Sequence, residues 1–243
     1  MDSCVEIQSL GNRMISILDL KASPVGVKLL SDEGNSPQQA VRLRRHRYCQ
    51  ALMKARQGEH VLLDREGIAC PAAAAAFGFR ELPDGLRNGK GLVGFGIVTK
   101  PETGQRMFEN MPALFPGQIH QLYLFPLNRA NTWPDVVVVE DEVEKLMWIN
   151  LAYLNATGGE RVSSSTAVLQ ASCVDSTILP YLEDRLNFGY GCYGCRDATD
   201  LGSSETVVGF PGRILTAIAE NLECLGRKAI PNSRAKKAYA ALS

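Results

Sequence analysis

Cysteines are the residues in this chain best suited to chemistry. There are seven, Cys4, Cys49, Cys70, Cys173, Cys192, Cys195 and Cys224. An odd number, in a chain too long to need disulfide staples, points to metal or redox use in a reducing compartment more than to structural bridges. Gly191-Cys-Tyr-Gly-Cys195-Arg196 contains a CxxC pair bracketed by glycine. Small residues there, Gly191 and Gly194, would let backbone amides reach sulfur, and such bonds stabilise thiolates and cluster sulfides. Cys70-Pro71 is the second signature: a proline after cysteine is frequent at iron–sulfur ligands, where it turns the chain away from the cluster. Pro71 followed by the alanine run to Ala76 predicts a helix that starts beside Cys70, where the helix dipole lowers a thiol pKa. Cys49 and Cys173 have no flanking signature of their own. Cys4 and Cys224 fall on amphipathic helical stretches and read as small packed hydrophobes.

Four thiolates can hold zinc or an iron–sulfur cluster. A zinc ribbon would want two CxxC pairs and a bacterial ferredoxin three closely spaced cysteines; this chain has neither pattern. Dispersed ligands from separate loops of a large domain fit an enzyme-like or sensor-like cluster better. A metal-free redox pair, Cys192 with Cys195, and plain core packing remain as alternatives. Nearby cations could offset cluster charge or hold an anion: Arg196, and Arg45 within the run Arg42 to Arg47, which otherwise reads as a solvated helix face.

Other constellations carry less. Gly89-Lys-Gly91-Leu-Val-Gly94 matches GxGxxG, but a dinucleotide site needs a strand before it and a helix after it. Here a Pro/Gly turn precedes it and an apolar β-like run over Gly91–Thr99 follows, so a turn entering a strand is expected. The three histidines, His46, His60 and His120, form no metal array, and no GxSxG elbow supports a hydrolase. The acidic run Glu140 to Glu142, with Glu144, reads as a helix start stabilised by the dipole.

The elements that must position these residues follow from periodicity. Helices are expected over 4–18, 39–57, 71–76, 102–111 and 213–225, with Gly226 as C-cap, and another opens at Asp141. Strands are expected over 24–30, 60–64, 119–127, 136–139 and 206–210. Residues 31–38 read as a polar loop, 167–173 as helix or strand, 187–196 as a glycine- and aromatic-rich turn, and 227–243 as a mildly basic, frayed tail. The mixture predicts one domain over 1–243 with its core in about 24–225, of α/β or α+β class, built on a mixed β-sheet with flanking helices.

The 243 residues carry 26 basic and 26 acidic side chains, so the net charge is zero. That gives no support to nucleic-acid binding and is compatible with a homo-oligomer. With 45% hydrophobic residues the chain is not disordered. It has no apolar run of bilayer-spanning length and no signal-like N-terminus, so no membrane partner and a cytoplasmic location are expected.

With these residues in view, the sequence resembles the prokaryotic domain-of-unknown-function family 169. The likeness is carried by Arg47-Tyr-Cys49-Gln-Ala-Leu-Met-Lys-Ala-Arg56-Gln-Gly58, Cys70-Pro through Phe77-Gly78, Pro126-Leu-Asn-Arg-Ala, Pro134-Asp-Val-Val-Val, Ala171-Ser-Cys173 and Gly191-Cys-Tyr-Gly-Cys-Arg196. It runs from about Pro24 to Leu225. The resemblance implies a cytoplasmic α/β-type domain common in anaerobes and brings no settled reaction. It also selects among the cysteines: Cys49, Cys70, Cys173 and Cys192 match recurrent positions, while the stretch around Cys195 is better described as Gly-Cys-x-Gly-x-Arg. The expectation is therefore an iron–sulfur protein with a 4Fe-4S cubane on those four residues, serving electron transfer, redox sensing or Lewis-acid chemistry. Its partner would be a redox protein or a small anionic ligand. Zinc is the alternative metal, and whether the chain is an enzyme stays open.

Overall fold

The alternating apolar segments become the strands of one seven-stranded sheet in the computed structural model, which describes residues 3–32 and 37–242. The strands are β1 (Val25–Leu30), β2 (Val41–Arg42), β3 (Val61–Asp64), β4 (Gln121–Pro126), β5 (Val136–Glu142), β6 (Asn187–Gly189) and β7 (Glu205–Pro211). They lie in the order β2-β3-β4-β1-β5-β7-β6. Only the β2–β3 pair is parallel; all the other neighbours are antiparallel. The helices are α1 (Ser3–Leu18), α2 (Tyr48–Arg56), α3 (Pro71–Ala76), α4 (Asp84–Arg87), α5 (Lys90–Gly94), α6 (Pro101–Glu109), α7 (Val143–Ala156), α8 (Leu179–Glu183), α9 (Tyr193–Ala198), α10 (Leu215–Arg227), α11 (Ala229–Arg234) and α12 (Lys237–Ala240). A π-helix, Ala171–Ile178, runs directly into α8. Together they form a single α/β domain with a mixed sheet.

Strand side chains alternate between faces, so one sheet can serve two cores. Tyr123, Phe125, Val137, Val139, Val208 and Phe210 pack with Ile7 and Met14 of α1, Ile149 of α7 and Ile218 of α10. The intervening residues, including Leu122, Leu124, Val136, Val138 and Val207, pack on the opposite face against Cys49 and Leu52 of α2, Ala73 of α3 and Val174 of the π-helix. This second face is the one that gathers the cysteines. The π-helix approaches β7 so closely that a Cβ on Gly209 would press into the Ser176 carbonyl. Among the described residues, no helix is long and apolar enough to cross a membrane.

Several expectations are corrected. Residues 39–47 are not helical. Val41 and Leu43 donate backbone hydrogen bonds to His60 and Leu62 (both 2.8 Å), and Arg45 turns the chain at φ 56° before α2 begins at Tyr48. Pairing beside β3 outweighs the helical spacing of the arginines. Gly91–Thr99 is not extended: Gly89, at φ 72°, caps the short α5, so the glycine-rich string enters a helix. Asp141 does not open a helix. β5 continues to Glu142, which pairs with Glu205, because Glu140 and Asp141 meet cations rather than water. The 187–196 turn contains β6 and part of α9. Gly226 lies inside α10 rather than capping it. The tail is tied down through Ile230, which is buried, and Arg234, which pairs with Glu144 at 3.0 Å. Of the expected 31–38 loop, residues 33–36 lie outside the described residues.

Candidate functional site: a cavity lined by five cysteines

Four separate segments bring cysteines to one place. Cys49 is the second residue of α2. The helix is held by Tyr48, whose buried hydroxyl meets Thr177 Oγ1 at 2.7 Å, and by Gln50 Oε1, which accepts the Arg47 N–H at 2.9 Å. Cys70 is the N-cap of α3, with Pro71 in the first turn as its missing N–H and fixed φ favour. Cys173 lies in the π-helix, a rare geometry that is frequent at functional sites. Cys192 caps α9, and its sulfur accepts the Cys195 N–H at 3.3 Å. The amide-to-sulfur bond expected of the CxxC loop is therefore made by the second cysteine. Gly191 supplies the turn at φ 78°.

Cys49, Cys70, Cys173, Cys192 and Cys195 all line one cavity of about 230 Å³. One water occupies roughly 30 Å³ in the liquid, so the space exceeds what a solvent molecule needs. Leu92, Phe95, Phe108 and Leu169 give it apolar lining, and Arg47 and Gly194 also line it. The sulfurs of Cys192 and Cys195 stand 2.9 Å apart as free thiols, against about 2.05 Å in a disulfide. Among the described residues, no three His, Cys, Asp or Glu side chains converge on a single point as a lone metal ion requires.

Burial raises the Cys173 thiol well above its ordinary value, and repulsion from Cys70, Cys192 and Cys195 adds to it. For Cys192 the sulfur contact with Cys195 is the larger cause of a strong upward shift, followed by burial. For Cys195 the Cys192 contact works downward, but Cys49 and burial outweigh it and push the thiol up to about 12. These groups are the opposite of an activated thiolate, which needs a cationic, partly exposed setting.

A buried polar chain runs from the sulfurs to the surface. Ser172 Oγ lies 3.4 Å from Cys195 Sγ and donates to Glu140 Oε1 at 3.1 Å. Glu140 Oε2 accepts from Arg56 Nε at 3.1 Å, and Arg56 continues to Asp200. Burial raises the Glu140 carboxyl above its ordinary range, while Arg56 and Ser172 pull it back. Across the π-helix from Cys173, Asp175 is 2% exposed. Burial pushes its carboxyl up to about 7 against the pull of the Thr166 hydroxyl.

The expected cations sit elsewhere. Arg45 is exposed in the loop before α2. Arg196 ties its own loop together by donating to the carbonyls of Tyr190, Gly202 and Glu205. The guanidinium at the cavity is Arg47, which donates to the Gly194 carbonyl at 3.0 Å and meets Asp197 at 3.3 Å. Sequence reasoning missed Arg47, Ser172, Glu140 and Arg56. One signal was present: continuing the two-residue period of Val136 and Val138 places Glu140 on the cysteine face. Cys4 and Cys224 lie on helices α1 and α10 as their spacing implied, but neither is a packed core residue: Cys4 is half-buried and Cys224 is exposed.

Five cysteines and the apolar side chains of Leu92, Phe95, Phe108 and Leu169 thus line the same cavity. The family comparison agrees with the sequence resemblance. The chain belongs to domain-of-unknown-function family 169, described as an uncharacterised ArCR family, whose model matches residues 13–221. No curated protein and no solved structure matches the chain.

Proposed function

We propose that this chain is an iron–sulfur protein that holds a 4Fe-4S cluster on Cys49, Cys70, Cys173 and Cys192. Its role would be redox, electron-transfer or cluster-assisted chemistry on a small molecule. The observation that carries the proposal is the convergence of cysteines from α2, α3, the π-helix and α9 on one apolar-walled cavity. Cysteines serving only as small core hydrophobes have no reason to surround a space larger than a water. A bound cluster would supply a one-electron couple or a Lewis-acidic iron. The chain's own residues do the rest. Leu92, Phe95 and Phe108 give the cavity an apolar lining beside the sulfurs, and local polarity is one lever on cluster potential. The Cys195 amide donates to the Cys192 sulfur, and Ser172, whose proton goes to Glu140, links Cys195 to that carboxylate. Arg47 places a cation beside what would be an anionic centre.

Zinc remains the alternative metal for the same thiols. The 2.9 Å contact between Cys192 and Cys195 favours a second reading, a metal-free thiol pair. Anaerobic purification separates the three. The cluster predicts a brown protein, bleached by dithionite, with stoichiometric iron and acid-labile sulfide. Alanine at Cys49, Cys70 or Cys173 should remove the iron, while Cys224→Ala should not. A colourless protein that takes up neither iron nor sulfide on anaerobic reconstitution would refute the proposal. Stoichiometric zinc, or a reversible disulfide trapped between Cys192 and Cys195 in protein without iron, would establish an alternative.

A further inference from the structure

A second cavity, of about 390 Å³, lies on the other side of the same π-helix. It falls in the size range of small-molecule sites. Its polar lining comes from Thr103, Arg106 and Asn110 in and after α6, Thr166 and Gln170 in the strap before the π-helix, and Asp175 within it. Met107, Val174 and Leu179 supply an apolar side. Leu169 and Gln170 line both this cavity and the cysteine cavity, so one strap separates the two.

A guanidinium, Arg106, and a carboxyl, Asp175, line this space without pairing. Arg106 is exposed and its side chain makes no hydrogen bond or ion pair among the described residues, leaving its planar fork available for a carboxylate. Asp175 is fixed. Its Oδ2 accepts from Thr166 Oγ1 at 2.5 Å, and its backbone carbonyl accepts from Asn187 Nδ2 at 2.8 Å. Oδ1 has no partner among the described residues. The strap is held in an unfavourable shape. Val168 and Gln170 have φ of 59° and 54°, and a β-branched residue there is a genuine outlier. Thr166 Oγ1 fastens that turn by accepting the Val168 N–H at 3.1 Å. Backbone strain of this kind concentrates at ligand clamps.

We propose that this second cavity binds a small zwitterion of the α-amino-acid type, with its carboxylate on Arg106, its ammonium on Asp175, and an apolar side chain against Met107, Val174 and Leu179. A guanidinium and a carboxyl on one lining call for an acid and an amine on one ligand; a simple anion would leave Asp175 Oδ1 without a partner. The site stands whatever Cys173 holds on the opposite side of the π-helix. If the cysteine cavity holds a cluster, the ligand sits one helix away from it.

Isothermal titration calorimetry on the full chain tests this with leucine, methionine and glutamine as probes, and with isocaproate and isoamylamine as leucine lacking one charge each. At least one amino acid should bind, and both single-charge analogues should bind at least about tenfold more weakly, the effect of losing one charge-assisted hydrogen bond. Arg106→Gln changes an exposed residue and should fold normally, yet weaken amino-acid binding by a similar factor; Asp175→Asn should do the same. No binding by any amino acid at millimolar concentration would overturn the proposal. So would isocaproate binding as tightly as leucine, or Arg106→Gln binding like the parent. Running the titrations on iron-loaded protein and on Cys49→Ala separates this proposal from the cluster, whose own readout is iron content.

Discussion

Removing Arg56 should be among the most damaging single changes on the cysteine face, and its cost should fall on Glu140. In Arg56→Met the guanidinium loses two carboxylate partners with different fates. Asp200 has a half-exposed side chain and can return to water; the Glu140 side chain is 3% exposed and cannot. Breaking a buried ion pair from one side costs about 3–5 kcal/mol, because the remaining charge is uncompensated. Glu140→Gln should cost less, about 1.5–3 kcal/mol, since Arg56 keeps Asp200. The defect should also depend on pH. Burial already raises the Glu140 carboxyl above its ordinary value near 4.5, with Arg56 the strongest opposing influence. Without Arg56 the folded-state value rises further. Between the unfolded and folded values the native state then binds more protons than the unfolded chain, so stability falls as pH rises through that window. Urea denaturation of metal-free, reduced protein at pH 5 and pH 8 should therefore show the larger Arg56→Met defect at pH 8. The double variant Arg56→Met with Glu140→Met should recover most of the loss, because buried pairs replaced by hydrophobic groups are often neutral or better. A single-variant loss below about 1 kcal/mol, equal losses at the two pH values, or a double variant no better than the single would refute the reasoning.

Two further substitutions test how the cysteine-bearing helices are held. Tyr48→Phe removes the buried donor to Thr177, whose own proton goes to the Ser172 carbonyl at 2.8 Å, and should cost about 1 kcal/mol in urea denaturation. Gly209→Ala should cost about 1–3 kcal/mol by forcing β7 away from the Ser176 carbonyl, and it should loosen iron retention if the π-helix shifts. By contrast, Gly94→Ala has nothing within 4 Å of the added methyl and lies in a helix, so it should be neutral or slightly stabilising.

Much of the frame was legible in the chain. The β-branched run Val136–Val139, the alternation of 25–30 and 121–126, and the helical spacing of 4–18 each admit one arrangement that buries their apolar atoms, and the structure adopts it. Cys70-Pro71 predicted its helix start because proline's missing N–H suits only the first turn. Local pattern failed where a partner remote in sequence decided the outcome. Arg42 to Arg47 space like a helix, yet β3 offers that backbone hydrogen bonds that no local tally anticipates. Glu140 and Asp141 look like a solvated helix start until Arg56 and Lys145 appear beside them.

The sequence by itself determined which residues can bind a soft metal, and which segments must be strands because nothing else buries their side chains. Only the tertiary structure decided that Cys49, Cys70, Cys173, Cys192 and Cys195 meet. The first and last of them, Cys49 and Cys195, stand at opposite ends of a long stretch of chain, and convergence depends on which sheet face each helix covers. It alone also placed Arg47 rather than Arg45 at the cavity, because a side chain's neighbours follow from the path of the backbone and not from its position in the chain.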